Sequence, residues 1–286
     1  MEAQRLDPIE FRDGQRKDWD TAAAGWRKWS ELIDAGTQVV TDRLVELAEV
    51  KSGSRVLDIG CGYGQPSLTA ARAAGPAGKV TATDPAREML AYGRERAAEG
   101  GLDNVDFIEA NAASLDFSDG AFDAALSRWG IIFEPEAEAA AARIRGFMEP
   151  GAKMAISSWG SPDQVPMVAM PMITAFKLLE VPPPPPGTPG PLSRPTHEAI
   201  SSLLEGGGFG DLRVEEVNVA MTWSSAEEFT TFVEEIVAPL SALLASHPAD
   251  KQEAVWAAIT EGAADHADQD GAITMDNLAL LAVGTA

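Results

Sequence analysis

The first fifty residues carry apolar side chains at helical spacing and predict two helices. The tryptophans of the first segment, Trp19, Trp26 and Trp29, are seven and three residues apart, so their indoles share one helical face. The second segment has its own apolar stripe, formed by Val40, Leu44 and Leu47. In the simplest interpretation, the tryptophan face packs on a sheet.

After residue 50 the apolar pattern shortens to runs that are typical of β-strands. Residues 55–58 and 80–84 are such runs, each ending in an aspartate, and a third run covers residues 105–112. Helices are predicted to begin at Ser67 and to cover residues 86–99. Strands and helices therefore alternate through this region.

Three glycines, Gly60, Gly62 and Gly64, follow the first strand at alternate positions. Without Cβ atoms the backbone can approach a ligand closely, and the N–H groups of the helix from Ser67 face the loop. The pattern predicts a nucleotide-like ligand, with an ordinary tight turn as the alternative. A dinucleotide fingerprint would need glycine at position 65, which is Gln65, so a nicotinamide oxidoreductase is disfavoured.

Asp84 ends the second run and is the strongest candidate for binding a ribose. In Rossmann-like sheets an acid at this position binds the ribose hydroxyls, and two carboxylate oxygens match a vicinal diol. As an alternative, Asp84 caps the helix over 86–99, with Pro85 at its first position. The two roles are compatible.

The stretch from Arg55 to Gly64, an acid before three alternate glycines, closely resembles motif I of the class I S-adenosylmethionine-dependent methyltransferases. Residues 120–129 resemble the fourth strand of that family. Residues 147–156 resemble the element in which a Pro-Gly pair stops a helix and turns the chain into the fifth strand. The resemblance is closest to the type 11 group, which includes ubiquinone and menaquinone C-methyltransferases.

This resemblance implies an α/β fold with a Rossmann-like sheet of seven strands, in the order 3-2-1-4-5-7-6 with strand 7 antiparallel, flanked by helices. It also implies an N-terminal helical lid over residues 1–50 and a core over 51–160. A cap inserted after strand 5 is expected over residues 161–195, partly mobile. The rest of the core, 196–286, then contains a helical insertion over 225–267.

The implied cofactor is S-adenosylmethionine, with S-adenosylhomocysteine as product. The family usually has Asp-Ala at the adenine, where this chain has Asn111 and Ala112, and an Asn amide donates as well as accepts. The residues expected to bind the cofactor are Asp58, Gly60, Cys61, Gly62, Gly64, Asp84, Pro85, Met89, Asn111, Ala112, Ser127 and Arg128.

The methyl acceptor is expected between the lid and the cap. Residues 165–173 are rich in methionine, which suits either a core or a pocket for apolar ligands, and the prolines at 182–186 predict extended chain. The residues expected to line the substrate pocket are Trp19, Trp26, Trp129, Trp159, Met167 and Met170.

Two residues are candidates for a catalytic role, His197 as a base and Arg128 as a ligand of an acidic or enolate acceptor. Both have plain alternatives, because His197 also suits a helix start or the surface and Arg128 could pair with one of the many carboxylates. Methyl transfer needs a base only when the acceptor must lose a proton that is not already acidic.

The C-terminal third predicts further elements of the sheet. A helix begins near Thr196 and ends at glycines 206–208, and residues 211–223 alternate as a strand does. The last strand covers residues 277–284. Two helices are inserted between these strands, one capped by Ser224 and one over about 250–265, and they suit either a pocket wall or a dimer surface.

Composition narrows the function. With 286 residues, 45% of them hydrophobic, the chain can bury the core of one large domain with a subdomain. Its net charge of −22 disfavours nucleic acid as a partner. The one cysteine, Cys61, excludes an internal disulfide, and the three histidines are not at metal-ligand spacing, so no metal is expected.

These features together predict a cytoplasmic methyltransferase that acts on a small, largely apolar or aromatic molecule through an O-, C- or N-acceptor. The start of the sequence lacks the apolar core of a signal peptide, and no stable membrane insertion is expected. A homodimer is possible. The alternative is a protein of the same fold that binds the cofactor without transferring methyl, such as a cyclase.

Overall fold

The computed structural model describes residues 6–286, which form a seven-stranded sheet with helices on both faces. Two helices precede the sheet, α1 at Pro8–Lys28 and α2 at Ser30–Leu47. Helix α1 begins where it does because Asp7 caps it, with Oδ1 accepting from the N–H of Ile9 at 2.8 Å. In this described part, no helix combines the length and apolarity needed to cross a membrane.

The strand order is β3-β2-β1-β4-β5-β7-β6, as predicted. Strands β1 to β5 are parallel, and β7 runs antiparallel to both of its neighbours. The strands are β1 (Arg55–Ile59), β2 (Lys79–Asp84), β3 (Val105–Glu109), β4 (Phe122–Arg128), β5 (Met148–Trp159), β6 (Gly210–Trp223) and β7 (Ile273–Thr285).

Each face of the sheet has its own core, because neighbouring side chains of a strand point to opposite faces. Val56 of β1 packs into one core and Leu57 into the other. The remaining helices are α3 (Ser67–Ala74), α4 (Arg87–Glu99), α5 (Ala137–Gly146), α6 (Pro166–Leu179), α7 (His197–Gly206), α8 (Ala226–Ile236), α9 (Ala238–Ala245) and α10 (Ala249–Ala264). Helices α9 and α10 pack mainly against other helices.

Four local predictions need correction. The helix before β5 ends at Gly146, ahead of the Pro-Gly pair, which lies inside β5 where Gly151 has a φ of +84°. The cap residue of α4 is Ala86 and not Asp84. The insertion contains three helices instead of two, because Val237 interrupts it and α9 begins at Ala238, with Pro239 in its first turn. Its first helix is capped by Ser225 and not by Ser224.

Helix α1 does not lie on the sheet. It packs against α4, α8 and α9, while α6 packs against α10. The two groups of helices enclose space above the carboxyl ends of the central strands. A parallel sheet places its ligands at that edge.

Candidate cofactor and substrate site

A cavity of about 420 Å³ lies over the carboxyl ends of β1, β2 and β4. Its floor is made by the strand ends at Ile59, Asp84 and Arg128, and α1 covers it. Of the residues predicted for the site, those that line this cavity are Trp19, Trp26, Gly60, Cys61, Gly62, Asp84, Pro85, Met89, Asn111, Ala112, Arg128, Trp129, Trp159 and Met167.

The glycine loop is held against the sheet and turned toward the cavity. The N–H groups of Gly60 and Cys61 donate to the carbonyl oxygen of Thr83, at 2.8 and 3.0 Å. Gly60 has a φ of +70°, and a Cβ there would lie 2.7 Å from Cα of Gly130. Gly62 has a φ of +51°, but a Cβ there would meet nothing within 4 Å. The two glycines therefore serve different purposes, close packing at Gly60 and open approach at Gly62.

Gly62→Ala is expected to weaken binding of S-adenosylhomocysteine about tenfold, because the Cβ of the alanine would occupy open space in the cavity. The left-handed backbone adds strain of about 1 kcal/mol. Gly53→Ala is the matched control, since Gly53 also has a positive φ and open surroundings but does not line the cavity. Calorimetry and thermal unfolding of both variants check this; equal losses of affinity would show that strain alone is responsible.

Asp84 joins the glycine loop to the start of α4. Its Oδ2 accepts from the N–H of Gly62 at 2.9 Å, and its Oδ1 accepts from the N–H of Ala86 at 2.8 Å. Burial raises the pKa of Asp84 to about 6, and these two hydrogen bonds partly offset the effect by lowering the pKa. Each carboxylate oxygen keeps lone pairs for further donors, so Asp84 suits a diol in the cavity.

The pKa of Asp84 predicts a pH dependence of nucleoside binding. A diol donates to an ionised carboxylate, so affinity for S-adenosylhomocysteine should level off about one pH unit above this pKa and fall below it, by up to about tenfold per unit. Asp58, whose pKa burial raises to about 7, titrates in the adjoining range. Calorimetry from pH 5 to 8 on the wild type and on Asp84→Asn separates the two groups, because the fall should be absent from the variant.

Three residues predicted to bind cofactor lie beneath the loop and do not line the cavity. Asp58 is fully buried and accepts a hydrogen bond from the hydroxyl of Ser67, at the start of α3. The Oγ of Ser127 donates to the carbonyl of Ile59 at 2.8 Å. A Cβ on Gly64 would lie 3.1 Å from Leu68. These residues fix the position of the loop.

The end of the cavity near β2 and β3 fits a nucleoside. Pro85, Met89 and Ala112 supply apolar surface there, and Asp84 supplies a carboxylate. The Oδ1 of Asn111 is buried, with no hydrogen-bond partner among the described residues. These features suit the adenosine part of S-adenosylmethionine, which combines a flat base, polar edges and a diol.

Cys61 lines the cavity as a small apolar side chain. Burial raises the pKa of its thiol well above the ordinary value, and nearby Asp84 and Asp58 act in the same direction. A thiol that stays protonated is a weak nucleophile. The geometry therefore favours packing as the role of Cys61.

The other end of the cavity is aromatic and apolar. The rings of Trp129 and Trp159 are stacked, with centroids 4.3 Å apart and planes 15° from parallel. Trp129 has a φ of +53°, which is unusual for a large side chain and is characteristic of functional sites. Met167 lines this end, whereas Met170 lies near Gly262 of α10 and outside the cavity.

His197 is far from this arrangement of residues. It is the first residue of α7, and its half-exposed ring lies 3.0 Å from the carboxylate of Glu216 on the edge strand β6. The structure thus brings Arg128 to the cavity and leaves His197 on the surface, beside Glu216. The helix-start alternative describes its placement.

The cavity also has walls formed by the helical insertion, for which the sequence left two interpretations open. Helices α8 and α9 supply the apolar residues Phe232, Val233, Ile236, Val237 and Pro239. The apolar stripe of α8 was the available signal, and a pocket wall was one of its two interpretations. The connection between α6 and α7 contributes Pro191, and α6 contributes Val168, Pro171 and Met172.

Hydrogen bonds near both ends of helix α1 hold it over the cavity. Near its start, Nε of Arg12 donates to the two oxygens of Glu134 at 2.9 and 3.1 Å. Near its end, the indole N–H of Trp26 donates to the carbonyl of Ile236 at 3.2 Å, and that of Trp29 donates to Glu235 at 2.6 Å. The tryptophan face therefore meets the cavity and α8, and not the sheet.

Arg128 reaches from the end of β4 into the cavity and is bound by hydroxyl groups. Its Nη1 donates to Oγ1 of Thr37 at 2.9 Å and to Oγ1 of Thr41 at 2.8 Å. Within residues 6–286, no carboxylate oxygen lies within 4.0 Å of this guanidinium. Pairing with a carboxylate, one of the two roles predicted for Arg128, is not what the structure shows.

Comparisons with known proteins agree with this geometry. Residues 56–151 match the family model described as a methyltransferase domain. Over 116 residues the chain is 36% identical to the aklanonic acid methyltransferase DauC of Streptomyces sp. (strain C5), covering 41% of this chain and 53% of that protein. Over 144 residues it is 31% identical to the ubiquinone/menaquinone biosynthesis C-methyltransferase UbiE of Pseudomonas putida. This match covers 50% of this chain and 56% of UbiE.

Among solved structures, the fold is similar to that of the [4+2]-cyclase SpnF, with a TM-score of 0.53 and 20% identity. The similarity covers 93% of this chain and 96% of the cyclase. At this identity the similarity concerns the fold alone. The chain spans about half the length of the curated relatives above.

The class predicted from the motifs is confirmed. Residues 56–151 match a methyltransferase domain, the sheet has the Rossmann-like strand order of the class I S-adenosylmethionine-dependent enzymes, and the matched part resembles UbiE. S-adenosylmethionine is the cofactor of that class.

Proposed function

We propose that this protein binds S-adenosylmethionine in the cavity and transfers its methyl group to a small, largely apolar or aromatic molecule. The observation that carries the proposal is a cavity with two unlike ends, partly covered by α1. A carboxylate and the glycine loop face one end, and stacked tryptophans face the other. Relatives named for aklanonic acid and for ubiquinone and menaquinone biosynthesis support an acceptor of this type.

The residues of the chain would act mainly by binding and positioning. When bound, S-adenosylmethionine supplies a methyl group already activated by its sulfonium. Asp84 would hold the ribose hydroxyls, and the backbone at Gly62 would lie against the cofactor. Trp129 and Trp159 would orient the acceptor, and the side chains of α1 and α8 would exclude water. Such alignment supplies much of the rate in a reaction without a difficult proton transfer.

A small acceptor is also supported by shape and charge. Helix α1 lies over the cavity, and the Arg12–Glu134 pair holds it there. The net charge of −22 opposes a nucleic-acid phosphate backbone. We therefore infer a small-molecule acceptor that enters the cavity completely.

Incubation with methyl-labelled S-adenosylmethionine and a panel of phenols, quinones, amines and thiols tests the proposal. Label is expected in at least one acceptor, with S-adenosylhomocysteine formed in equal amount. Binding of the cofactor with no transfer to any acceptor would favour the alternative, a protein of this fold that does not methylate. Absence of cofactor binding would refute both.

A further inference from the structure

We propose that Arg128, held by Thr37, Thr41 and Tyr63, is the binding site for a carboxylate group of a small molecule in the cavity. The inference rests on the proposed function, because it assumes a ligand in that cavity. It adds the chemical class of one ligand group and the residue that recognises it. Two sources of the carboxylate are possible, the amino-acid part of the cofactor and an acidic acceptor.

Burial of Arg128 is the first step of the argument. Only 8% of this residue is exposed, and a guanidinium in a protein stays charged. A buried charge without a partner of opposite sign is costly, so buried charges in proteins are normally paired. A cation in this position therefore calls for an anion.

The groups around Arg128 orient it without neutralising it. The hydroxyl of Thr37 donates to the carbonyl of Ile33 at 2.7 Å, and that of Thr41 donates to the carbonyl of Thr37 at 3.3 Å, so both oxygens are turned to accept from the guanidinium. The hydroxyl of Tyr63 donates to Asp34 at 2.8 Å, which leaves its oxygen 3.5 Å from Nη2. All three partners are uncharged.

The nearby carboxylates are already engaged. Asp34 is paired with Arg96, and Glu134 is paired with Arg12. Asp58 lies beyond ion-pair distance, accepts from Ser67, and has a pKa that burial raises to about 7. The positive charge of Arg128 acts against this rise in the pKa of Asp58, but none of these three carboxylates lies within 4.0 Å of the guanidinium.

The remaining donors of Arg128 match a carboxylate. The hydrogen bonds to the two threonines use Nη1, and the long contact to Tyr63 uses one hydrogen of Nη2. The N–H of Nε and one hydrogen of Nη2 are left, and the Nε and Nη2 atoms form one edge of the planar group. That edge can bind both oxygens of a carboxylate.

The location of Arg128 agrees with this role. Arg128, Thr37 and Tyr63 all line the cavity, and the guanidinium lies 5.6 Å from the ring of Trp129. The other arginines of the cavity, Arg12 and Arg16, have acidic partners on or beside α1. A single unpaired cation suits a singly charged group such as a carboxylate.

Calorimetric titration of the wild type and Arg128→Met with four probes tests the proposal. S-adenosylhomocysteine carries the amino-acid carboxylate, and 5′-methylthioadenosine lacks it; 2-naphthoate is an acidic aromatic probe, and 2-naphthamide is its neutral counterpart. Arg87→Met is the control, since Arg87 pairs with Glu109 on the surface. The control should bind every probe as the wild type does.

Either of two results supports the proposal and identifies the source of the carboxylate. If the carboxylate belongs to the cofactor, Arg128→Met weakens binding of S-adenosylhomocysteine at least tenfold and leaves the affinity for 5′-methylthioadenosine unchanged. If it belongs to the acceptor, both nucleosides bind as before and the preference for 2-naphthoate over 2-naphthamide is lost.

Two results would overturn the proposal. An equal loss of affinity for both nucleosides would indicate that Arg128 has only a structural role. Unchanged affinity for every probe would indicate that Arg128 has no role in binding. Failure of the wild type to bind either nucleoside would instead refute the proposed function. Thermal unfolding without ligand gives an independent readout, since removal of an unpaired buried charge should leave the melting temperature of Arg128→Met equal or higher. Should that variant not fold, Thr41→Val, which removes one orienting hydroxyl, is expected to give the same pattern with a smaller change.

Discussion

Replacing Asp84 by alanine is expected to lower the affinity for S-adenosylhomocysteine about 100-fold or more. The carboxylate would accept from both ribose hydroxyls, and hydrogen bonds to a charged group contribute about 1.5–3 kcal/mol each. The same carboxylate accepts from the N–H groups of Gly62 and Ala86, so its loss also frees the glycine loop. Calorimetry at pH 7.5 measures the effect.

Asp106→Asn is the matched control for this prediction. Asp106 lies on the neighbouring strand β3 and forms a surface ion pair with Lys79 at 2.6 Å, outside the cavity. Exposed ion pairs contribute little, so this variant should bind the ligand normally. An Asp84→Ala protein that binds as tightly as the control would remove Asp84 from the site.

Gly130→Ala is expected to destabilise the fold by about 1–3 kcal/mol or more and to weaken cofactor binding with it. Gly130 follows β4 and crosses directly under the glycine loop. A Cβ there would lie 2.9 Å from Cα of Gly60 and would overlap the carbonyl oxygen of Ile59. Because both neighbours are backbone, neither can move without disturbing β1, and overpacking of this kind typically costs about 1–3 kcal/mol or more. Chemical denaturation measures the loss.

Gly146→Ala provides the comparison for Gly130→Ala. Gly146 is the last residue of α5, and a Cβ there would meet nothing within 4 Å. Alanine is the better helix former by up to about 1 kcal/mol, so this variant should be as stable as the wild type or slightly more so. Similar stabilities for the two variants would mean that the close contact under the loop is not a constraint.

The sheet could be predicted because its signals are local. Each strand is a short apolar run, and the acid and glycines after β1 match a family motif whose strand order is fixed. The same motif could not separate residues that face the ligand from residues beneath it. Asp58 and Asp84 both end strands, but Asp58 bonds to Ser67 while Asp84 reaches the cavity. Which of them faces the ligand depends on how the loop folds back.

The acceptor end was harder to predict because long-range contacts form it. Arg12 meets Glu134 across 122 positions of sequence, and Trp26 meets Ile236 across 210. Nothing in either segment alone indicates the other. Trp129 and Trp159 are predicted to line the pocket because they lie at the carboxyl ends of β4 and β5, and these neighbouring strand ends bring the two residues together. His197 does not lie at the end of a central strand, so its place in the sequence did not indicate whether it faces the cavity.

Calorimetric titration of the full chain with S-adenosylhomocysteine tests the central claim most directly. We predict one binding site per chain with a dissociation constant in the micromolar range, about −8 kcal/mol. S-adenosylmethionine should compete for that site. The claim would be contradicted if no heat of binding appeared at ligand concentrations of about 1 mM. At that concentration even a binding free energy near about −4 kcal/mol would be detected.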